Sequence, residues 1–155
     1  MNPDPTGLVL ADSGFWLALY DARDAHHAAA LRIWEGLNFA TFLFPWPIYY
    51  EVLRTRFVRR PQRVLELRKL QRSRRLRPLD DVPYRDEALA VVFGPDDPEA
   101  ERGDRHLSLV DVALRLVLAD LSVRPKIARF ITFNPGDFSD ICNKYGVELC
   151  SDMPA

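Results

Sequence analysis

Three acidic residues of this chain lie where predicted strands and helices begin or end. Asp12 closes the apolar run of residues 8–11, Glu51 lies in a helical pattern, and Asp111 lies in the first turn of a later one. An acid at the carboxyl end of a parallel strand points into the crevice where open α/β sheets bind ligands. Acids gathered there repel one another, and Mg²⁺ binds a few carboxylates while it keeps several waters. The pattern predicts a metal site that cleaves phosphodiesters.

Each of these acids also has a purely structural explanation. Asp12 could cap the helix that follows it, which is a common use of aspartate. Ser108 and Asp111 resemble a capping pair, because an acid is favoured near a helix N-terminus. Glu51 could be an exposed helix residue, and Asp137 could cap a short helix. For each acid taken singly, the structural explanation stays open.

The order of predicted elements is that of an alternating α/β protein. Strands are predicted at residues 8–11, 41–44, 76–79, 128–133 and 147–149. Helices are predicted at residues 13–20, 24–37, 47–59, 62–74, 83–93, 108–121 and 138–145, with Asp24 as a helix cap. Helices between successive strands imply right-handed parallel crossovers. We therefore expect an α/β fold, a three-layer α/β/α sandwich with a central parallel sheet of four or five strands.

Size and composition predict one domain, residues 1–155, with residues 1–6 as a flexible tail and residues 94–104 as an exposed loop. No apolar run approaches the roughly 20 residues of a membrane helix. The N-terminus carries an acid rather than the basic start of a signal peptide, so we expect a cytoplasmic protein with no membrane partner. Cys142 and Cys150 lack metal-site spacing and are expected to be reduced thiols.

The net charge of −1 conceals an asymmetry. Residues 54–77 hold eleven basic residues and one acid, Glu66, which leaves ten basic residues and twenty-one acids in the rest of the chain. We call residues 54–77 the arginine block. It can attract phosphates in a sequence-independent way, or its side chains can be solvated and paired with acids. For the block as a whole we expect a polyanion or an acidic protein partner.

Other α/β sites fit less well. A haloacid-dehalogenase-type phosphatase needs a second Asp two residues after the first, and Gly14 stands there. A dinucleotide-binding domain needs GxGxxG after the first strand, and the chain has none. A receiver-like domain needs a Lys at the end of a late strand, whereas Lys126 precedes that strand.

The ordered set of acid-bearing segments resembles the PIN-domain family and, within it, the small VapC-like toxins. The resemblance extends from about Leu8 to Leu149. The segments that carry it are LADS (10–13), WLAL (16–19), DAHHAAA (24–30), EVL (51–53), SLVDVAL (108–114), and TFN with DF (132–134, 137–138).

The resemblance implies a Mg²⁺- or Mn²⁺-dependent endoribonuclease that cleaves single-stranded RNA. By position, Asp12, Glu51 and Asp111 correspond to the core metal-binding and catalytic acids. Either Asn134 or Asp137 takes the fourth position, and Asp137 is included among the catalytic acids.

Hydroxyl groups that hold carboxylates in place are the second part of the implied site. Ser13 and Thr132 are expected in that role, and Ser108 as a further supporting residue. His26 and His27 precede an Ala-rich helix face and are expected to be surface residues or polar groups at the helix start. The implied chemistry needs no His or Cys nucleophile.

The resemblance also implies partners: a homodimer, and an antitoxin protein whose tail reaches over the acids. Within the arginine block, Arg54, Arg56, Arg59 and Arg60 are expected to contact RNA, and residues 72–77 a protein. The alternative function is a catalytically silent PIN-like module that binds RNA or a protein partner through the arginine block. Binding of a divalent ion at the three acids would separate the two functions.

Overall fold

In the computed structural model, residues 7–37, 40–96 and 106–151 are described. Five parallel strands form one sheet in the spatial order β3-β2-β1-β4-β5. The strands are β1 (Leu8–Ala11), β2 (Thr41–Pro45), β3 (Leu76–Leu79), β4 (Ile127–Ile131) and β5 (Glu148–Cys150). The helices are α1 (Ser13–Tyr20), α2 (His27–Gly36), α3 (Trp46–Val52), α4 (Thr55–Val58), α5 (Pro61–Arg72), α6 (Val82–Phe93), α7 (Leu109–Ala119) and α8 (Ser139–Tyr145). The predicted α/β fold with a central parallel sheet is confirmed.

The central strand β1 is buried on both faces. All four of its residues are apolar and at most 3% exposed. A continuous apolar run of this kind is typical of a parallel strand that helices cover from both sides. Large aromatic side chains complete the core around it, among them Phe15 and Trp16 of α1, Phe42 and Phe44 of β2, and Phe130 of β4.

The order of the strands reverses between β1 and β4. After β1 the chain builds β2 and β3 on one side of it, then crosses to build β4 and β5 on the other. In an open α/β sheet, the crevice beyond the strand ends at such a switch point is where ligands bind. Ala11 pairs with Ile131 in register, and the Asp12 N–H donates to the Ile131 carbonyl over 3.0 Å. Residues 12 and 132 therefore leave the sheet side by side.

Two predicted helix boundaries are wrong. The single helix predicted over residues 47–59 is two helices, α3 and α4, separated by Leu53 and an extended Arg54 with ψ of 168°. Val52 and Phe57 are both buried, although five residues in one continuous helix would turn them about 140° apart. The break lets both side chains face the core.

The second boundary error concerns the start of α2. His26, not Asp24, precedes its first turn, and no side chain caps that end. The Asp24 carboxylate instead accepts the His26 N–H over 2.8 Å within the preceding turn.

The predicted tail, residues 1–6, and residues 97–104 of the predicted loop lie outside the described residues. Within the described ranges, no helix is both long and apolar enough to cross a membrane. Cys142 and Cys150 are free thiols, and both are buried.

Candidate active site

Asp12 is a nearly buried carboxylate at the switch point of the sheet. It follows β1, caps the N-terminus of α1, and is 8% exposed. Its Oδ1 accepts the Phe15 N–H over 3.1 Å, and its Oδ2 accepts the Thr132 hydroxyl over 2.5 Å. The capping role considered from the sequence is real, but it occupies only one of the two carboxylate oxygens.

Thr132 holds the other oxygen of Asp12 from the adjacent strand. Its side chain is completely buried directly after β4. The Asn134 N–H donates to the Thr132 hydroxyl oxygen over 3.0 Å. That oxygen therefore accepts from Asn134 while its proton is directed to Asp12, which fixes the orientation of the carboxylate. The side chain of Asn134 is exposed.

The pKa of Asp12 is raised above its ordinary value of 3.8. Burial is the largest cause, and the negative charges of Asp111 and Glu51 add to it. The hydrogen bonds from Thr132 and Phe15 act in the opposite direction because they favour the ionised form. Asp12, Glu51 and Asp111 thus lie within electrostatic range, although they are distant in sequence.

Helices α3 and α7 bring Glu51 and Asp111 toward Asp12. Asp111 lies in the first turn of α7, where the Ser108 hydroxyl oxygen accepts its N–H over 3.1 Å. Ser108 therefore fixes the backbone at Asp111. Both acids are half-buried, and within the described residues neither carboxylate makes a hydrogen bond or salt bridge.

The three acids have the right chemistry for a divalent cation, but their side chains do not already converge on one point. In the part of the chain that the structure describes, no three Asp, Glu, His or Cys side chains stand together as a ready set of metal ligands. The donors are hard carboxylate oxygens, which Mg²⁺ prefers. Burial raises the pKa of Asp12 most, and repulsion by Asp111 and Glu51 adds to it. No described residue holds the carboxylate of Glu51 or Asp111, so ligation would require rotation of these two side chains.

Asp137 lies beside the guanidinium of Arg115. Its main-chain carbonyl accepts from Arg115 Nη1 over 2.7 Å, and its charge contributes to the raised pKa of Arg115. Arg115 also forms two hydrogen bonds of 2.8 Å with the Asp140 carboxylate. Among the described residues, the Ser13 hydroxyl makes no hydrogen bond to any acid, although Ser13 directly follows Asp12.

The arginines expected to contact RNA line two depressions beside α1. Arg54 and Arg56 line a cavity of about 150 Å³, and Arg59 and Arg60 line an open cleft of about 670 Å³. Arg63 lines both. Sequence reasoning did not single out Arg63, because only the fold shows which arginine of the block faces α1.

The far end of the arginine block is used within the fold. Arg75 donates to the carbonyls of Leu37 and Ala40 over 3.3 Å, and its guanidinium lies 4.6 Å from the ring centre of Trp34. Arg77 donates to the Arg124 carbonyl over 3.3 Å. These contacts tie the edge of the sheet to its surroundings, so both side chains have structural roles.

This chain is similar to known proteins in its fold and not in its sequence. No protein-family model matches the chain, and no curated protein sequence matches it. Among solved structures, it is similar to Mycobacterium tuberculosis VapC20, which is described as a toxin that cleaves the sarcin-ricin loop. The similarity has a TM-score of 0.63 at 19% identity and covers 85% of this chain and 94% of VapC20. The similarity confirms the predicted fold, which this chain shares with VapC20.

Proposed function

We propose that this protein is a divalent-metal-dependent endoribonuclease that cleaves single-stranded RNA. The observation that carries the proposal is a nearly buried Asp12 at the switch point of the sheet, within electrostatic range of Glu51 and Asp111. Burying a carboxylate near two others is costly unless a cation compensates their charge. A fold shared with VapC20, which is described as a toxin that cleaves the sarcin-ricin loop, supports a cleaving activity of this kind.

In this proposal Asp12, Glu51 and Asp111 hold Mg²⁺ or Mn²⁺. The bound ion supplies a water of lowered pKa and neutralises charge on the phosphate oxygens. Asp12 is already oriented by Thr132 and by the first turn of α1, so it provides the fixed part of the site. Glu51 and Asp111 provide the adjustable part.

Residues of the 132–138 segment complete the site in different ways. Thr132 orients Asp12, and we assign Asn134 to the fourth position, where its side-chain carbonyl can orient a water or substrate. Asp137 adds negative charge near the site, although the adjacent Arg115 guanidinium compensates part of it.

The nearby arginines bind the RNA strand. Arg54 and Arg56 lie just beyond the end of α3, the helix that carries Glu51. Arg59 and Arg60 continue the same basic surface. Their charge gives affinity for phosphates without sequence preference. The alternative, a catalytically silent binding module, uses the same arginines but gives no reason for Glu51 and Asp111, which have no partner among the described residues, to lie near the buried Asp12.

We further propose a toxin of a cytoplasmic toxin–antitoxin pair that acts as a homodimer. An apolar groove of about 430 Å³ lies between α3, α6 and α7, with Tyr50, Leu89 and Leu109 among its lining residues. These three side chains are 74%, 39% and 44% exposed. A second copy of the chain would cover this surface, and the antitoxin would reach over the acids.

The decisive test of activity is cleavage of a single-stranded RNA in the presence of Mn²⁺ or Mg²⁺, with EDTA as the metal-free control. We expect cleavage by the native protein that EDTA abolishes and that added Mn²⁺ restores. RNA binding that persists without any cleavage in either metal would favour the silent module instead.

A further inference from the structure

A small basic cavity lies directly beside the candidate active site. It has a volume of about 150 Å³ and includes Gly14, Leu17 and Asp21 on the α1 side. On the opposite side it is lined by Arg54, Arg56 and Arg63, which belong to the start of α4, to α4 itself and to the first turn of α5. Three guanidinium groups thus surround a space far smaller than the groove between α3, α6 and α7.

Positive charge exceeds negative charge in this cavity. Two carboxylates line it, Asp21 and Asp24, and the Asp24 carboxylate accepts the His26 N–H. The Asp21 carboxylate lies 3.7 Å from Arg56 Nη2 and 3.6 Å from Arg63 Nη2. Both separations exceed the length of a good hydrogen bond, so the two guanidinium groups keep donors for another anion.

Arg63 is the more buried of the two arginines beside Asp21. Its side chain is 15% exposed, whereas that of Arg56 is 69% exposed. A guanidinium that is held in place loses less conformational entropy when it binds an anion. The buried Arg63 therefore loses less conformational freedom on binding an anion than the exposed Arg56 does.

Gly14 connects the cavity to the acids. It lies two residues after Asp12, and a Cβ atom at this position would lie 3.4 Å from Asp12 Oδ1. Gly14, Leu17 and Asp21 follow one another at the i, i+3, i+7 spacing that defines one face of a helix. Gly14 therefore lies between the basic cavity and the carboxylate of Asp12.

We propose that this cavity binds a backbone phosphodiester of the RNA strand, close to the one that is cleaved, and that Arg63 is its principal donor. The inference rests on the proposed function, because the neighbouring phosphate would be held at the metal. An arginine fork matches the geometry of a phosphate oxygen pair.

The site can be tested without catalysis, in EDTA, by the affinity of the protein for a short single-stranded RNA at several salt concentrations. We expect Arg63→Gln to weaken binding and to reduce the log–log salt slope by about 0.7, the value for one single-strand phosphate contact. Arg72→Gln is the matched control. It lies nine residues later in α5, about 13 Å along the axis and on the opposite face.

Asp21→Asn tests the same site without removing an arginine. The Asp21 carboxylate accepts the Arg23 N–H over 3.0 Å, and the asparagine side chain keeps that acceptor. Removing its charge frees Arg56 and Arg63, so we expect tighter RNA binding and a steeper salt slope. This result does not depend on how Arg63→Gln folds.

These measurements separate failure of the inference from failure of the proposed function. If Arg63→Gln binds RNA as Arg72→Gln does, or if Asp21→Asn leaves affinity unchanged, the phosphate site is wrong whether or not the protein cleaves RNA. If both variants behave as expected while the native protein cleaves no RNA in Mn²⁺, the phosphate site stands and the nuclease proposal falls. Lost binding to a protein partner with unchanged RNA affinity would also overturn the inference.

Discussion

The hydroxyl of Thr132 donates to Oδ2 of Asp12 over 2.5 Å, although 120 positions separate the two residues in the chain. The bond joins the ends of β1 and β4, the two strands between which the strand order reverses. It is buried, so water does not compete for either group. The most ordered part of the candidate site is therefore built by the sheet itself.

Thr132→Val should show how much the orientation of Asp12 contributes, because Asp12 itself stays in place. Valine keeps the shape but removes the donor to Asp12 and the acceptor of the Asn134 N–H. We expect a loss of about 1–3 kcal/mol in stability and about 10–100-fold weaker Mn²⁺ binding. Calorimetric titration of Mn²⁺ and thermal unfolding check this, and Thr132→Ser should restore both. Unchanged Mn²⁺ affinity in the valine variant would show that Thr132 supports only the fold.

Glu51→Gln and Asp111→Asn should abolish metal-dependent cleavage without unfolding the protein. Neither carboxylate holds another described residue, so their loss removes repulsion rather than contacts. We expect cleavage to fall by more than about 100-fold, with a melting temperature that is unchanged or higher. The measurement is RNA cleavage at saturating Mn²⁺ beside thermal unfolding. Variants that unfold would instead assign these acids a structural role.

The raised pKa of Asp12 predicts a pH-dependent difference between the native protein and Asp12→Asn. The folded protein holds the Asp12 proton more tightly than the unfolded chain, whose carboxyl has a pKa near the ordinary value of 3.8. Between these two pKa values the unfolded state binds fewer protons than the folded state, so the free energy of unfolding falls as the pH rises. The asparagine side chain of the variant cannot ionise, so the variant escapes this loss.

The corresponding measurement is the melting temperature of both proteins in EDTA, at a pH below 3.8 and at neutral pH. We expect the difference, variant minus native, to become more positive at neutral pH. Mn²⁺ should reduce it by stabilising only the native protein. A difference that stays constant with pH would mean that burial and the neighbouring acids do not raise the pKa of Asp12.

The homodimer proposal predicts that Leu109→Asp yields a monomer. Leu109 lines the apolar groove and is 44% exposed, so a charge there would be buried at the interface. Leu121→Asp is the control, because Leu121 is 61% exposed and lies after the end of α7, outside the groove lining. Light scattering should show a loss of mass for the first variant alone. Dimers of both variants would place any interface elsewhere.

The parts of the fold that sequence predicted well depend on local patterns. The bounds of β1 and α1 follow from a continuous apolar run that ends at a capping Asp12. The break between α3 and α4 was missed because no Pro or Gly marks it. It arises from the need to bury both Val52 and Phe57, which is a property of the packed core.

The residues of the candidate site also fall into those that local sequence predicts and those that only the packed fold reveals. Acids at element ends were visible in the sequence, and so was Thr132 after an apolar run. The hydrogen bond from Arg115 to the Asp137 carbonyl, and the approach of Arg63 to Asp21, join distant segments. Nothing in local sequence indicates which of eleven basic residues in the block turns toward α1, because the rotation of α5 on the core decides it.

The central claim is that Asp12, Glu51 and Asp111 share one divalent cation. Its most direct test is an anomalous-difference map from crystals of the native protein soaked in Mn²⁺. We expect a single dominant peak beyond the ends of β1 and β4, with carboxylate oxygens of all three residues at about 2 Å from it or linked through one bound water. A map with no Mn²⁺ peak at Asp12, or with Glu51 and Asp111 still turned away from a bound ion, would contradict the claim.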